Sequence, residues 1–175
     1  MKEERSVMRN RSRPVLHLPR TPFEALLEVL TVLGIITVIA MTVWGYFALP
    51  AIIPTHYGIS GTPNAYGGKG SLLILPVLSV CLAVLLTFLS RSPHRYNYPW
   101  PITAENAPRQ YYLARLLLRW ITLEMVWMLC GLQWIILIQA AQSHAGDALL
   151  LFIPAMVLTL IVTIILYIRT AARAR

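Results

Sequence analysis

The chain has little charge. Of its 175 residues only 13% are Asp, Glu, Lys or Arg, where a soluble domain carries about 25%. Acids are the scarcer sign, 7 against 15 Lys and Arg. Cysteine is almost absent: the two present, Cys81 and Cys130, lie inside apolar runs with no CxxC or Cys/His ligand spacing. That excludes a disulfide framework and a zinc signature, and leaves each thiol as a small apolar filler near the middle of its run. The two thiols lie at similar depth and are placed to touch. A basic face with base-reading or stacking groups is also missing, because the basic residues collect at the ends of apolar runs, so nucleic acid is not an expected partner.

What the chain has is length of apolar sequence. Hydrophobic residues make up 57%. Uncharged runs at 29–49, 71–90 and 148–168, and a run near 121–141 interrupted by Glu124, are each about 20 residues, or roughly 30 Å as helix, enough for the hydrocarbon core. The first run is longer than the apolar part of a signal peptide and reads as a retained helix. Lys and Arg alternate across the connections. Lys2, Arg5, Arg9, Arg11, Arg13 and Arg20 precede the first run and Lys69 alone follows it. Arg91, Arg95, Arg109, Arg115 and Arg119 lie between the second and third, none between the third and fourth, and Arg169, Arg173 and Arg175 after the fourth. By the positive-inside rule both termini are inside and the first connection is outside. The expected fold is therefore an all-α integral membrane protein of the cell membrane, with four transmembrane helices, N-in and C-in, and a structured outer loop between helices 1 and 2. Residues 1–22 form a basic arm, expected to be disordered and to favour anionic lipid. Residues 23–175 form the membrane domain, as hairpins 23–90 and 91–175.

Local signals refine this. Thr21 before Pro22 reads as a helix cap, and Thr103 or Asn106 starts a long helix over about 107–141 with Pro108 in its first turn. Tyr96, Tyr98 and Trp100 form an aromatic cluster at the inner interface. Glu24 and Glu28 fall at the same depth as Arg115 and Arg119, which predicts an ion-pair clasp. Pro76 and Pro154 are expected to kink their helices, and SLLILPVLSV against LLLFIPAMVL suggests a duplicated hairpin. Trp120, Trp127 and Trp134 recur every seven residues, with Glu124 and Gly131 placed on the same face. Glu124 is a candidate intramembrane polar site; alternatively it snorkels or pairs with an arginine of a neighbouring helix end.

The least apolar stretch between the first two runs is IPTHYGISGTPNAYGGKG. Its prolines stiffen it, and Gly58, Gly61, Gly67, Gly68 and Gly70 allow positive φ. Pro63-Asn64 and Tyr66-Gly67 read as turn pairs. It is not a phosphate loop: a proline breaks the glycine spacing, and glycine, not Ser or Thr, follows Lys69. Near His56 it has no Asp, Glu or Cys, and only His144 and Asp147 of the other outer loop stand as partners, so no metal or cofactor is assigned. No Ser or Cys has a base beside it, and His56 has no second catalytic group, so the chain is not expected to be an enzyme. The candidate residues for partner binding or loop structure are Pro54, His56, Gly61, Pro63, Asn64, Tyr66, Gly67 and Lys69.

The stretch resembles an uncharacterised bacterial membrane domain that forms the N-terminal part of SdpI-type immunity proteins, which protect bacteria from a secreted killing factor. The pattern LP-x-x-IP-x-H, then G-x-P, then glycine and lysine, then a helix proline falls here on Leu49, Pro50, Ile53, Pro54, His56, Gly61, Pro63, Gly67, Lys69 and Pro76. The segment NYPWPITAENAPRQYYLARLLLR is similar to that of short stand-alone members. The Arg-Thr and Trp-containing motif of the SdpI C-terminal part is not found, so the resemblance implies the outer loop and its fold, and immunity or sequestration of a regulator by analogy. The resulting expectation is a membrane protein whose outer loop binds a peptide toxin or a protein partner. The alternatives are a transporter or channel component, which would need a homo-oligomer to enclose a pathway, and a membrane tether for a cytoplasmic regulator.

Overall fold

The computed structural model describes residues 13–58, 60, 62–142 and 146–174. The first half of the basic arm, Gly61 and His144 lie outside the described residues. The chain runs α1 (Pro22–Ala48), β1 (Ile52–Tyr57), β2 (Pro63–Gly68), a 3-10 turn (Lys69–Leu73), α2 (Ile74–Leu89), a second 3-10 turn (Pro93–Arg95), α3 (Ala107–Gln142) and α4 (Gly146–Ala172). Four helical segments, Pro22–Ala48, Lys69–Leu89, Ala107–Ala141 and Leu149–Ala172, are long and apolar enough to cross a membrane. The chain is therefore a multi-pass membrane protein whose spanning helices contact bilayer lipid.

Local chemistry sets the helix ends. Thr21 Oγ1 accepts the Glu24 N–H at 3.2 Å while the Glu24 carboxylate accepts the Thr21 N–H at 2.9 Å, a reciprocal box ahead of Pro22. At the other end of α1, Leu49 is extended because Pro50 follows it. Before α3, Asn106 Oδ1 accepts the Thr103 N–H at 2.9 Å and Thr103 Oγ1 accepts the Asn106 N–H at 3.2 Å. Both candidate starting residues therefore contribute, and Pro108 falls in the first turn as expected. Pro154 is inside α4. Pro76 is the third residue of α2, in a first turn where a missing N–H costs little, so unlike Pro154 it does not interrupt a helix interior.

α3 is the central helix and the other three pack around it. It buries Tyr111, Ala114, Leu123, Val126, Leu129, Ile135 and Leu137. Close approach depends on glycines, Gly34 and Gly45 of α1 and Gly131 of α3. A Cβ on Gly34 of α1 would stand 2.8 Å from Val126 Cγ1, and one on Gly131 would collide with the Phe152 ring of α4. Among the described residues α4 packs chiefly on α3, and no residue of its most apolar stretch is buried. Both described chain ends lie at the end of the bundle opposite the strands. Gln110 Nε2 donates to Ala171 O and Ala174 O, both at 2.9 Å. Arg115 donates to Leu18 O and Pro19 O, both at 2.9 Å. Arg13 donates to Tyr96 O and lies over the Tyr98 ring, so residues 13–20 of the arm, though neither helix nor strand, are held against the α2–α3 connection. There Tyr96 and Tyr98, two members of the expected aromatic cluster, stack, and their hydroxyls donate to Leu89 O and Pro93 O.

One correction concerns fold class. The all-α expectation fails between α1 and α2, where β1 and β2 pair antiparallel with Ile52 opposite Gly68, Ile53 opposite Gly67 and Pro54 opposite Tyr66. Proline forces its predecessor toward extended backbone, and Ile53 and Thr62 both precede prolines. Neither proline breaks the ladder, because each strand of a two-stranded sheet has a free edge.

Candidate functional site

Ile53 fixes the hairpin to the bundle. It is 1% exposed and packs with Leu49, Leu72 and Leu137 from three helical segments at this end. Burying one such side chain contributes about 1.5–3 kcal/mol. Pro54 is buried beside it. The 3-10 turn continues the anchoring, since the Lys69 N–H donates to Ala51 O at 3.0 Å.

Beyond Pro54 the ladder shifts twice. His56 lies opposite Ala65, which leaves Thr55 unmatched on β1, and Tyr57 lies opposite Pro63, which leaves Asn64 unmatched on β2. Such irregularities re-aim side chains. Asn64 is aimed at His56: its Oδ1 is 2.5 Å from His56 Nδ1. This contact ties the two side chains together across the irregular ladder and leaves the His56 Nε2 edge outside the bond. Both residues are exposed, and Tyr66 is 64% exposed. At the tip, Gly58 N–H donates to Thr62 O at 2.8 Å and Ser60 and Thr62 share a hydroxyl hydrogen bond.

The candidates thus divide by role. His56, Asn64 and Tyr66 present polar and aromatic atoms to the surroundings. Pro54 and Pro63 shape the strands. Gly67 gives room, since a Cβ there would stand 3.0 Å from Thr55 Cγ2. Positive φ is not what the described glycines supply: Gly58, Gly67, Gly68 and Gly70 all lie outside that region. Pro63-Asn64 and Tyr66-Gly67 are strand residues, not turns. Gly61 lies outside the described residues. Lys69 is turned back to the bundle, where Nζ donates to Tyr46 O at 2.8 Å and stands 4.7 Å above the Tyr46 ring. It thereby neutralises the negative carbonyl end of α1. Tyr57 Oη is buried with no hydrogen-bond partner among the described residues, and burial, helped by nearby Tyr66, pushes its ionisation up to about 12.

Glu124 is elsewhere. It lies thirteen residues from Leu137 along α3, roughly 20 Å from the hairpin anchor at 1.5 Å per residue. Thr163 of α4 donates to its Oε1 at 2.5 Å, and its Oε2 is buried without a partner among the described residues. The expected arginine pairing is corrected: among the described residues Glu124 bonds to Thr163, and Arg115 and Arg119 of α3 are held by other acids. Arg115 binds Glu24 through Nε at 2.6 Å and Nη2 at 2.9 Å, and Arg119 pairs with Glu28. The predicted clasp is therefore present, with Glu24 fully buried at its centre. The tryptophans do not share a face with Glu124 and Gly131. Trp120 and Trp127 contact Phe23 and Leu30 of α1, whereas Glu124 and Gly131 meet α4. The two cysteines do not meet: Cys130 Sγ donates to Gly34 O at 3.0 Å and Cys81 is exposed. A contact not foreseen is Gln133 Nε2 to Thr42 Oγ1 at 3.2 Å, a second polar link inside the span.

Residues 33–80, from the middle of α1 through the hairpin into α2, match a family described as a domain of unknown function, DUF1648. An uncharacterized protein of Archaeoglobus fulgidus is 39% identical over 62 residues, covering 31% of this chain and 34% of that protein. The chain thus spans about a third of the length of that relative. No solved structure matches.

Proposed function

We propose that this chain is a non-enzymatic protein of the cell membrane whose β-hairpin faces outward and recognises a peptide or protein partner. The observation that carries the reading is the division of labour in the hairpin. Ile53, Pro54 and Lys69 fix it to the helices, while His56, Asn64 and Tyr66 stay exposed on a locally bonded scaffold. Rigid segments that keep polar and aromatic groups uncovered are suited to recognition, because little ordering is required on binding. The distribution of Lys and Arg supports the outward side, with Lys69 alone between the first two spans and none between the last two. The resemblance to SdpI-type immunity proteins supports a membrane-active peptide toxin as the partner class.

A protection assay tests this. Cells of a sensitive strain expressing the chain, or a variant carrying His56→Ala, Asn64→Ala and Tyr66→Ala, are challenged with membrane-active peptide toxins at matched membrane levels. Protection by the parent chain that the variant loses is the expected result. Equal protection by both would remove the hairpin surface as the recognition site.

A further inference from the structure

We propose that the bundle end carrying both ends of the described chain holds a site for one anionic phospholipid, with an acyl chain between α1 and α2 and the phosphate at Arg91. α1 and α2 border a cleft there of about 470 Å³, within the range of small-molecule sites. Its walls are apolar, from Val32 and Ile35 of α1 and Val80, Val84 and Phe88 of α2, and Thr122 of α3 forms part of its floor. Val84 and Phe88 are 64% and 69% exposed on a membrane-spanning helix, so the cleft opens to the bilayer and its occupant comes from there.

At its polar end the cleft joins a second chamber of about 210 Å³, lined by His17, Arg20, Arg91 and Arg115 among others. The two share Thr87, Ser90, Arg91 and Arg119. Four guanidiniums, of Arg20, Arg91, Arg115 and Arg119, meet two carboxylates, Glu24 and Glu28, which leaves a net charge of 4 − 2 = +2. Arg20, Arg115 and Arg119 each form an ion pair with one of these acids. Arg91 has no ion-pair partner among the described residues and stands where the apolar cleft meets the basic chamber. An unneutralised guanidinium at the mouth of an apolar slot matches an anionic headgroup on an acyl chain, and basic pockets between membrane helices bind such headgroups. A zwitterionic lipid would leave the excess positive charge unmet.

The test uses the full chain purified in a neutral detergent and native mass spectrometry with palmitoyl-oleoyl phosphatidylglycerol or the matching phosphatidylcholine. The expected result is one phosphatidylglycerol retained in preference to phosphatidylcholine. Arg91→Gln should lower phosphatidylglycerol retention about fivefold, the equivalent of about 1 kcal/mol for one basic residue. Arg95→Gln, an equal loss of charge outside both chambers, should leave retention unchanged. Val84→Trp, which narrows the cleft without changing charge, should reduce it. Arg91 is exposed and unpaired, so its replacement leaves the fold intact, which an unchanged melting temperature verifies. Equal retention of the two lipids, equal effects of Arg91→Gln and Arg95→Gln, or displacement of the lipid by millimolar inorganic phosphate alone would overturn the proposal.

Discussion

Glu24 is asked to do three things at once. Its carboxylate closes the box with Thr21, accepts two bonds from Arg115 and lies 3.4 Å from Arg119 Nε, all while fully buried. Removing one partner of such a group strands the others, which costs about 3–5 kcal/mol. Glu24→Ala should therefore lower the unfolding midpoint in detergent sharply, and Glu28→Ala, at a half-exposed acid, much less; equal effects would contradict the burial argument. Tyr57 gives a pH dependence. Its folded ionisation, pushed up to about 12, lies above the unfolded value of 10.0. Its contribution is therefore complete below pH 10 and lost as pH rises through about 12. Tyr96, also pushed to about 12 by burial, adds to the same window. Tyrosinate absorbance should lag behind that of the unfolded chain, and Tyr57→Phe should shrink the lag. At this scale the clasp was legible, because acids and bases at equal depth have few other partners in a bilayer. The His56–Asn64 bond was not, since it depends on two ladder shifts that leave no periodicity to read.

The elements divide in the same way. Helix starts followed from Thr21-Pro22 and Thr103-to-Pro108, and the length of α3 from an apolar run that continues past the core thickness. The hairpin did not follow. Its prolines and glycines have the composition of turns, and its strand character comes from the residues before the prolines and from burial of Ile53 against Leu137, which is distant in sequence. The seven-residue tryptophan spacing does not carry over to Glu124, because i+4 positions are offset by about 40° on the helix. Gly131 tests the α3–α4 contact. Gly131→Val should destabilise by about 1–3 kcal/mol through collision with Phe152. Phe152→Ala should recover part of that loss in a double-mutant cycle, whereas strict additivity would contradict direct contact.

For the whole molecule, the helices, the clasp and the hairpin fit one design: a bundle locked by buried charge at one end and closed at the other by a strand pair with exposed polar groups. Sequence and structure carry this account through the sidedness of the hairpin, which the Lys and Arg pattern predicts to be outward. The direct measurement is labelling of single cysteines, introduced as Tyr66→Cys or Arg95→Cys in a chain with Cys81 and Cys130 replaced by alanine. A membrane-impermeant maleimide is applied to intact cells with an accessible outer membrane face. The account predicts labelling of the Tyr66→Cys chain in intact cells and of the Arg95→Cys chain only after permeabilisation. The reverse pattern would place the hairpin inside and contradict its role in recognising an external partner.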